Sequence, residues 1–270
     1  MTLLRVPLAP PKVILFDWHA TLVDTLDAMY HAVDDVIPKL SELELIDRLI
    51  KIEDCKTLED AKLVKYVIEN QRLHPKIKSA RKISRTDIFE VLFGPDQEAK
   101  KIAHQAFDHA YRNYFGEVKP FEDCVESMLE ELYRLQLKVG VLTNRSREFM
   151  MHELDVVNET GWRKYFQTVV CGNDVTHRKP DPEQILVALG HLEVDPSLDC
   201  WYVGDSTTDI IAAKRAGVTA VFYNGAGWDT EWIDKIFPGT VKHPHKPDTV
   251  VNNFREFMHL VRLDIAAVSE

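Results

Sequence analysis

The sequence predicts an α/β fold: a mostly parallel sheet covered by helices on both faces, with an α-helical segment inserted near its start. Three observations predict it. Apolar β-rich runs alternate with helix-periodic stretches from Val125 to Tyr223. A first run, Val13-Ile14-Leu15-Phe16, stands apart near the start, bounded upstream by Pro10 and Pro11 and ending in a carboxylate, Asp17. Between these two regions the chain reaches Gly94 before its first glycine, a texture of long helices rather than glycine-punctuated strands and turns.

Taken in order, the run at 13–16 reads as a buried strand, with a second carboxylate, Asp24, shortly after the turn through Trp18, His19, Ala20 and Thr21. Residues 26–50 read as helical with a break or kink at Pro38. A second helix spans 58–73, with Leu58, Ala61, Val64 and Ile68 near one face. Ala99, Ile102, Ala103, Ala106, Phe107, Ala110, Tyr111 and Tyr114 keep helical spacing in a third. Lys76, Lys78, Arg81, Lys82 and Arg85 form a basic stretch expected between helices, either a solvated face or a loop that meets an anionic substrate group. Then come an amphipathic helix at 125–132, a strand at 138–142 ending in Thr143-Asn144-Arg145-Ser146, a helix at 148–157 and a strand at 168–171. A helix at 182–189, a strand at 200–203, a helix at 207–216 and a strand at 219–223 follow, and Phe254, Phe257, Met258, Val261 and Ile265 predict a closing amphipathic helix. The expected division is a sheet domain of residues 1–25 and 118–270 and a helical domain of residues 26–117.

At 270 residues, 45% hydrophobic and 28% charged, the chain has the composition of an ordinary globular protein with a sizeable core. A net charge of −10, with no aromatic residues interleaved in the basic stretch, argues against a nucleic-acid partner. No membrane span is predicted, and the start, with its short apolar run and several prolines, is not expected to act as a signal peptide. Four widely spaced cysteines read as buried thiols in a reducing cytosol, so a cytoplasmic location is expected. His243 and His245 are close in sequence, but the intervening proline favours a structural loop over a metal site. Oligomeric state is not legible.

Four strand ends carry polar groups: Asp17 with Asp24, Thr143 with Asn144, Lys179 in RKPDPE, and Asp205 with Asp209 in VGDSTTD. Parallel strands line up their carboxyl ends along one edge, where ligands of open α/β sheets bind, so groups far apart in sequence can meet in one cleft. Asp17, Asp205 and Asp209 would repel one another unless a cation sat among them, and hard oxygen donors suit Mg²⁺. Thr143, backbone N–H groups beside Asn144 and the Lys179 ammonium would complete a cradle for a phosphoryl group.

The stretches FDWHATLVDT at 16–25, VLTN at 141–144, KPDPE at 179–183 and VGDSTTD at 203–209, in that order, resemble the four motifs of the haloacid dehalogenase superfamily. The resemblance covers the sheet domain, implies a Rossmann-like core, and makes the insertion similar to the helical cap of phosphoglycolate phosphatase-like members. It implies a Mg²⁺-dependent phosphatase acting on a small phosphorylated metabolite through a covalent aspartyl-phosphate. Asp17 would be the nucleophile, Thr143 and Asn144 would hold the transferring phosphoryl oxygens, and Lys179 would balance charge. Asp17, His19, Asp205 and Asp209 would make the metal side, with Asp205 a direct ligand and Asp209 orienting the water shell. Arg81 and Arg85 are the candidates for an anionic leaving group, and the cap would choose the substrate, hinging near Thr25 and near residues 116–120.

The chain departs from the family pattern two residues after the nucleophile, where phosphatases carry a second Asp as general acid and base and this sequence has His19. The next residue, usually Gly, is Ala20. In one reading His19 does the acid/base work itself, an imidazole being well matched to neutral pH. In another the chemistry differs, as in phosphonoacetaldehyde hydrolase, which resembles this chain at the Asp-Trp pair, lacks the second Asp and uses a cap lysine; Lys39, Lys51 and Lys56 would be the candidates. Haloacid dehalogenases also depart here but need no metal, which the intact Asp205 and Asp209 argue against. In the third reading the protein sequesters or senses a phosphorylated ligand with little turnover.

Overall fold

The computed structural model describes residues 8–55, 57–80, 85–114, 117–241 and 243–266. The chain forms two compact units, Met1–Asp24 with Val118–Glu270, and Thr25–Glu117.

The first unit is built on β1 (Val13–Asp17), whose alternate residues face two cores. Ile14 and Phe16 pack on one side, Val13 and Leu15 on the other. A strand apolar on both faces has no solvent side to mark with polar residues, which is why its sequence is a continuous hydrophobic run. After β2 (Val23–Asp24) the chain leaves the unit, and it returns at β3 (Lys119–Pro120), which pairs antiparallel with β2.

β4 (Lys138–Thr143), β5 (Thr168–Cys171), β6 (Cys200–Gly204), β7 (Thr219–Tyr223) and β8 (Thr249–Val251) complete a six-stranded sheet of order β5-β4-β1-β6-β7-β8. Every pairing in that sheet is parallel. The order steps outward from β1 through β4 to β5, then crosses back to β6 on the other side of β1. That places the topological switch point between β1 and β6, where a crevice opens beyond the strand ends.

Helices Val125–Arg134, Arg147–Val156 and Phe254–Ala266 cover one face with Met128, Leu132, Met150, Leu154, Phe257 and Val261. Glu183–His191 and Thr207–Ala216 cover the other with Ile185, Leu189, Ile210 and Ala213. The short helix Thr230–Ile236 and strand β8 were not anticipated from sequence: seven and three residues are too few to establish a period.

The second unit contains the helices Leu26–Val36, Leu58–Asn70, Pro75–Ala80, Arg85–Phe93 and Gln97–Tyr111. The first ends at Val36, and Pro38 lies in a separate 3₁₀ turn, so the break expected there is a full stop. The expected face of Leu58–Asn70 is corrected. Leu58 is 68% and Ile68 47% exposed, whereas Leu63, Val64 and Val67 point inward, because spacings of three, three and four drift off the stripe that a straight helix buries.

Asp34 ties Leu26–Val36 to the segment before Pro75–Ala80, accepting the Leu73 amide at 2.9 Å and the Lys78 ammonium. Asp96 caps Gln97–Tyr111 by accepting the Ala99 amide at 2.9 Å, and it holds Arg48 through both oxygens, at 2.9 and 2.6 Å. Part of the basic stretch expected between helices is itself helix Pro75–Ala80, with Lys78 engaged by Asp34. Arg81 and the side chain of Arg85 lie outside the described residues.

Cys171 and Cys200 are buried as expected, while Cys55 and Cys124 are half-buried. Among the described residues no helix is long and apolar enough to cross a membrane.

Candidate active site

The carboxyl ends of β1 and β6, with the loops after β4 and β5, bring five of the expected residues together. Lys179 is the hub. Its Nζ donates to Asp17 Oδ1 at 2.5 Å, to Asp209 Oδ1 at 2.8 Å and to the Tyr202 hydroxyl at 2.8 Å. The Tyr202 O–H in turn donates to Asp209 Oδ1 at 3.0 Å. Asp17, Lys179 and Asp209 are 7%, 6% and 1% exposed, so these charges interact in a largely water-excluded space. Asp205 completes the carboxylate group: side-chain oxygens of Asp17, Asp205 and Asp209 all lie within 4.8 Å of one another.

Local structure explains why each group is where it is. Asp209 is the third residue of its helix and forms a reciprocal cap with Ser206: its Oδ2 accepts from the Ser206 amide at 3.1 Å and hydroxyl at 2.5 Å, and its own amide donates to Ser206 Oγ at 3.3 Å. Both Asp209 oxygens are thus engaged within the protein. Gly204 is required beside it, since a Cβ there would lie 2.5 Å from Asp209 Cγ. Thr21, fully buried, donates its hydroxyl to Asp205 Oδ1 at 3.3 Å, joining the turn after β1 to the end of β6. That turn places Ala20 at φ +59°, a left-handed conformation that a Cβ disfavours, which explains why glycine suits the position.

Asn144 does not present its side chain as an open phosphoryl ligand. Its Nδ2 donates to the Lys179 carbonyl and its Oδ1 accepts from the Lys179 amide, both at 3.0 Å. Thr143 is 1% exposed, its Oγ1 accepts from the Arg145 amide at 3.1 Å, and its carbonyl accepts from Gln184 Nε2 at 2.9 Å. The threonine hydroxyl keeps its own proton for donation.

Burial pushes the Asp17 carboxyl up to about 7; the Lys179 ammonium opposes that rise and Asp209 adds to it. For Lys179 burial acts downward, but Asp17 and then Asp209 outweigh it and hold the ammonium well above its ordinary range. Burial, reinforced by Asp209, raises the Tyr202 phenol, so Tyr202 stays a neutral donor. The set is an ammonium shared by two carboxylates with a third close by, an excess of negative charge that fits a divalent cation bound through hard oxygens.

The imidazole of His19 is not part of that carboxylate group. Its Nε2 lies 3.6 Å from Oε2 of Glu153, a carboxylate 1% exposed on helix Arg147–Val156. His177, Asp181 and Glu183 also cluster, but locally: Glu183 accepts the amides of Thr176 and His177 at 2.9 and 2.8 Å, and Asp181 accepts that of Glu183 at 3.0 Å. His243 and His245 form no such group among the described residues. Lys39 and Lys51 are exposed, unlike the desolvated amine a Schiff base needs, and Lys56 lies outside the described residues.

Residues 14–223 match the model of the haloacid dehalogenase-like hydrolases. The chain belongs to that family. It is 28% identical over 211 residues to a phosphoglycolate phosphatase of Xanthomonas campestris pv. campestris strain 8004, covering 78% of this chain and 82% of that one. It is 29% identical over 157 residues to the pyrophosphatase PpaX of Bacillus velezensis, covering 58% of this chain and 65% of that protein. For a phosphoglycolate phosphatase of Salmonella paratyphi A the shares are 47% and 49%, at 33% identity, so the chain spans about half to two-thirds of the length of the first curated relatives it matches. The fold is similar to that of a Bacteroides fragilis protein assigned to the haloacid dehalogenase-like hydrolases, with a TM-score of 0.62 at 21% identity over 92% of this chain and 99% of that one.

Within this haloacid dehalogenase-like site, sequence reasoning missed Tyr202, Ser206, Gln184 and Glu153. Tyr202 reads as one more core residue of a buried strand. The signal available for Glu153 was its helical spacing: it shares the inward stripe with Phe149, Met150 and Leu154, where a carboxylate is out of place.

Proposed function

We propose that this protein is a Mg²⁺-dependent phosphatase that moves the phosphoryl group of a small phosphorylated metabolite first to Asp17 and then to water. The observation that carries the reading is the Lys179 ammonium held between Asp17 and Asp209 at the switch point of the sheet, with Asp205 alongside.

Asp17, Asp205 and Asp209 would hold the metal side. Because both Asp209 oxygens are engaged by Lys179, Tyr202 and Ser206, Asp17 and Asp205 are the better direct donors, with Asp209 acting through its charge. When bound, Mg²⁺ would supply charge neutralisation for the phosphoryl oxygens. In the first step an Asp17 oxygen bonds to phosphorus, the ester P–O bond breaks, and the leaving alkoxide takes a proton from His19. In the second, His19 accepts a proton from water as it attacks phosphorus, and the bond to Asp17 breaks to release inorganic phosphate. Lys179 stabilises the transferring group, the Thr143 hydroxyl donates to a phosphoryl oxygen, and Asn144 keeps Lys179 in place.

Relatives named as phosphoglycolate phosphatases support a small substrate with an anionic leaving group, the type that Arg81 and Arg85 would suit. The reading is tested by phosphate release from a panel of alkyl and aryl phosphates with Mg²⁺ or EDTA. Turnover that needs Mg²⁺ and is lost in Asp17→Asn supports it; turnover retained in Asp17→Asn overturns it.

A further inference from the structure

Glu153 is costly where it stands. It occupies an inward position on helix Arg147–Val156 beside Phe149, Met150 and Leu154, and an apolar residue there would avoid the cost of removing a carboxylate from water. Its surroundings come from the segments that build the active site. Oε2 accepts the Trp18 indole N–H at 2.7 Å and lies 3.6 Å from His19 Nε2. Oε1 lies 3.5 Å from Nη1 of Arg145, which is 7% exposed and directly follows Asn144. Trp18 is locked in turn, packing edge-on against Trp162 and Phe166 at 5.9 and 6.3 Å between ring centres. The carboxylate is therefore held from one side by a rigid indole and balanced from another by a buried guanidinium, and the same oxygen that accepts the indole N–H also faces the imidazole that stands two residues after the nucleophile.

We propose that Glu153 is a positioning residue for His19: it holds the imidazole in the tautomer protonated on Nε2 and leaves Nδ1 as the basic nitrogen. The spacing of 3.6 Å is longer than a formed hydrogen bond, as is common for catalytic contacts before substrate binds. A carboxylate facing one ring nitrogen selects the tautomer with the proton there, and it limits rotation of the ring. In a chain that lacks the usual second aspartate, Glu153 would give the larger imidazole the fixed orientation that a short carboxylate has by itself. The consequence for catalysis rests on the phosphatase reading; the tautomer does not.

Two measurements test it. In the metal-free protein labelled with ¹⁵N-histidine, brought to a pH beyond which the ring signals no longer move, the His19 signal is the one missing from His19→Gln. A pattern with the proton on Nε2 is expected, and a proton on Nδ1 overturns the proposal whether or not any phosphate ester is turned over. In kinetics with Mg²⁺, Glu153→Gln, which keeps an acceptor for Trp18, lowers kcat about 10- to 100-fold with KM little changed. The same change made on His19→Gln has no further effect, whereas an equal loss in both backgrounds marks a merely structural role and overturns the proposal. Failure of the phosphatase reading itself would show separately, as turnover that survives Asp17→Asn.

Discussion

The Asn144 side chain closes a two-point ring on the backbone of Lys179, donating to its carbonyl and accepting from its amide at 3.0 Å each. The loop after β4 thereby sets the position of the loop after β5, and the ammonium that reaches Asp17 and Asp209 is placed by an amide belonging to a different strand end. Asn144→Ala removes both bonds. Its expected effect is a fall in kcat of roughly 100-fold with a smaller change in KM, since displacement of a catalytic group by about 1 Å carries that cost. Steady-state kinetics on one good substrate checks it.

Lys179→Met leaves Asp17 and Asp209 buried and facing one another without their shared cation. Removing one partner of a buried charge cluster destabilises by about 3–5 kcal/mol. Urea unfolding should show that loss in EDTA, and added Mg²⁺ should recover part of it by occupying the same charge; a variant as stable as wild type in EDTA would contradict the hub role of Lys179.

The Asp17 carboxyl, raised by burial to about 7 from an ordinary value of 3.8, gives the metal-free protein a specific pH dependence. Between those values the folded state retains a proton that the unfolded chain has lost. This contribution to stability is fully present below about pH 4 and is lost as pH rises through about 7. Melting temperature in EDTA should therefore fall over that interval more steeply for wild type than for Asp17→Asn, in which the group cannot titrate. Equal slopes would show that Asp17 is already ionised in the metal-free fold.

Much of this arrangement was legible in the sequence, for physical reasons that also explain the gaps. β1 could be read because both of its faces are buried, so burial wrote itself as an unbroken apolar run ending in Asp17. Lys179 and Asp209 could be read because motif order and the parallel sheet together place distant strand ends side by side. Tyr202 could not: its ring belongs to one face of β6 like any core residue, and only the tertiary fold shows its hydroxyl reaching Lys179. The β2–β3 pair is two residues long on each side, with the whole helical unit between its strands, too little for a local pattern to reveal. The ring between the Asn144 side chain and the Lys179 backbone was not legible for a related reason, since motif spacing reports which residues reach the edge and says nothing of which of them hold one another.

Gly204→Ala should be severe for a small change. The added methyl would meet Asp209 Cγ at 2.5 Å and Oδ2 at 2.7 Å, and Asp209 cannot retreat without leaving Ser206 and Lys179. Overpacking of this kind costs about 1–3 kcal/mol, and activity should fall further than stability because the displaced carboxylate belongs to the site. Parallel thermal melts and rate assays separate the two effects.

The most direct test of the central claim is an acid-quenched turnover with ³²P-labelled substrate, followed by mass mapping of the labelled peptide. The account predicts one phosphoryl group per chain in a burst, carried on Asp17, absent in Asp17→Asn and dependent on Mg²⁺. Phosphate release from wild type with no label on the protein, or with label on a residue other than Asp17, would contradict it.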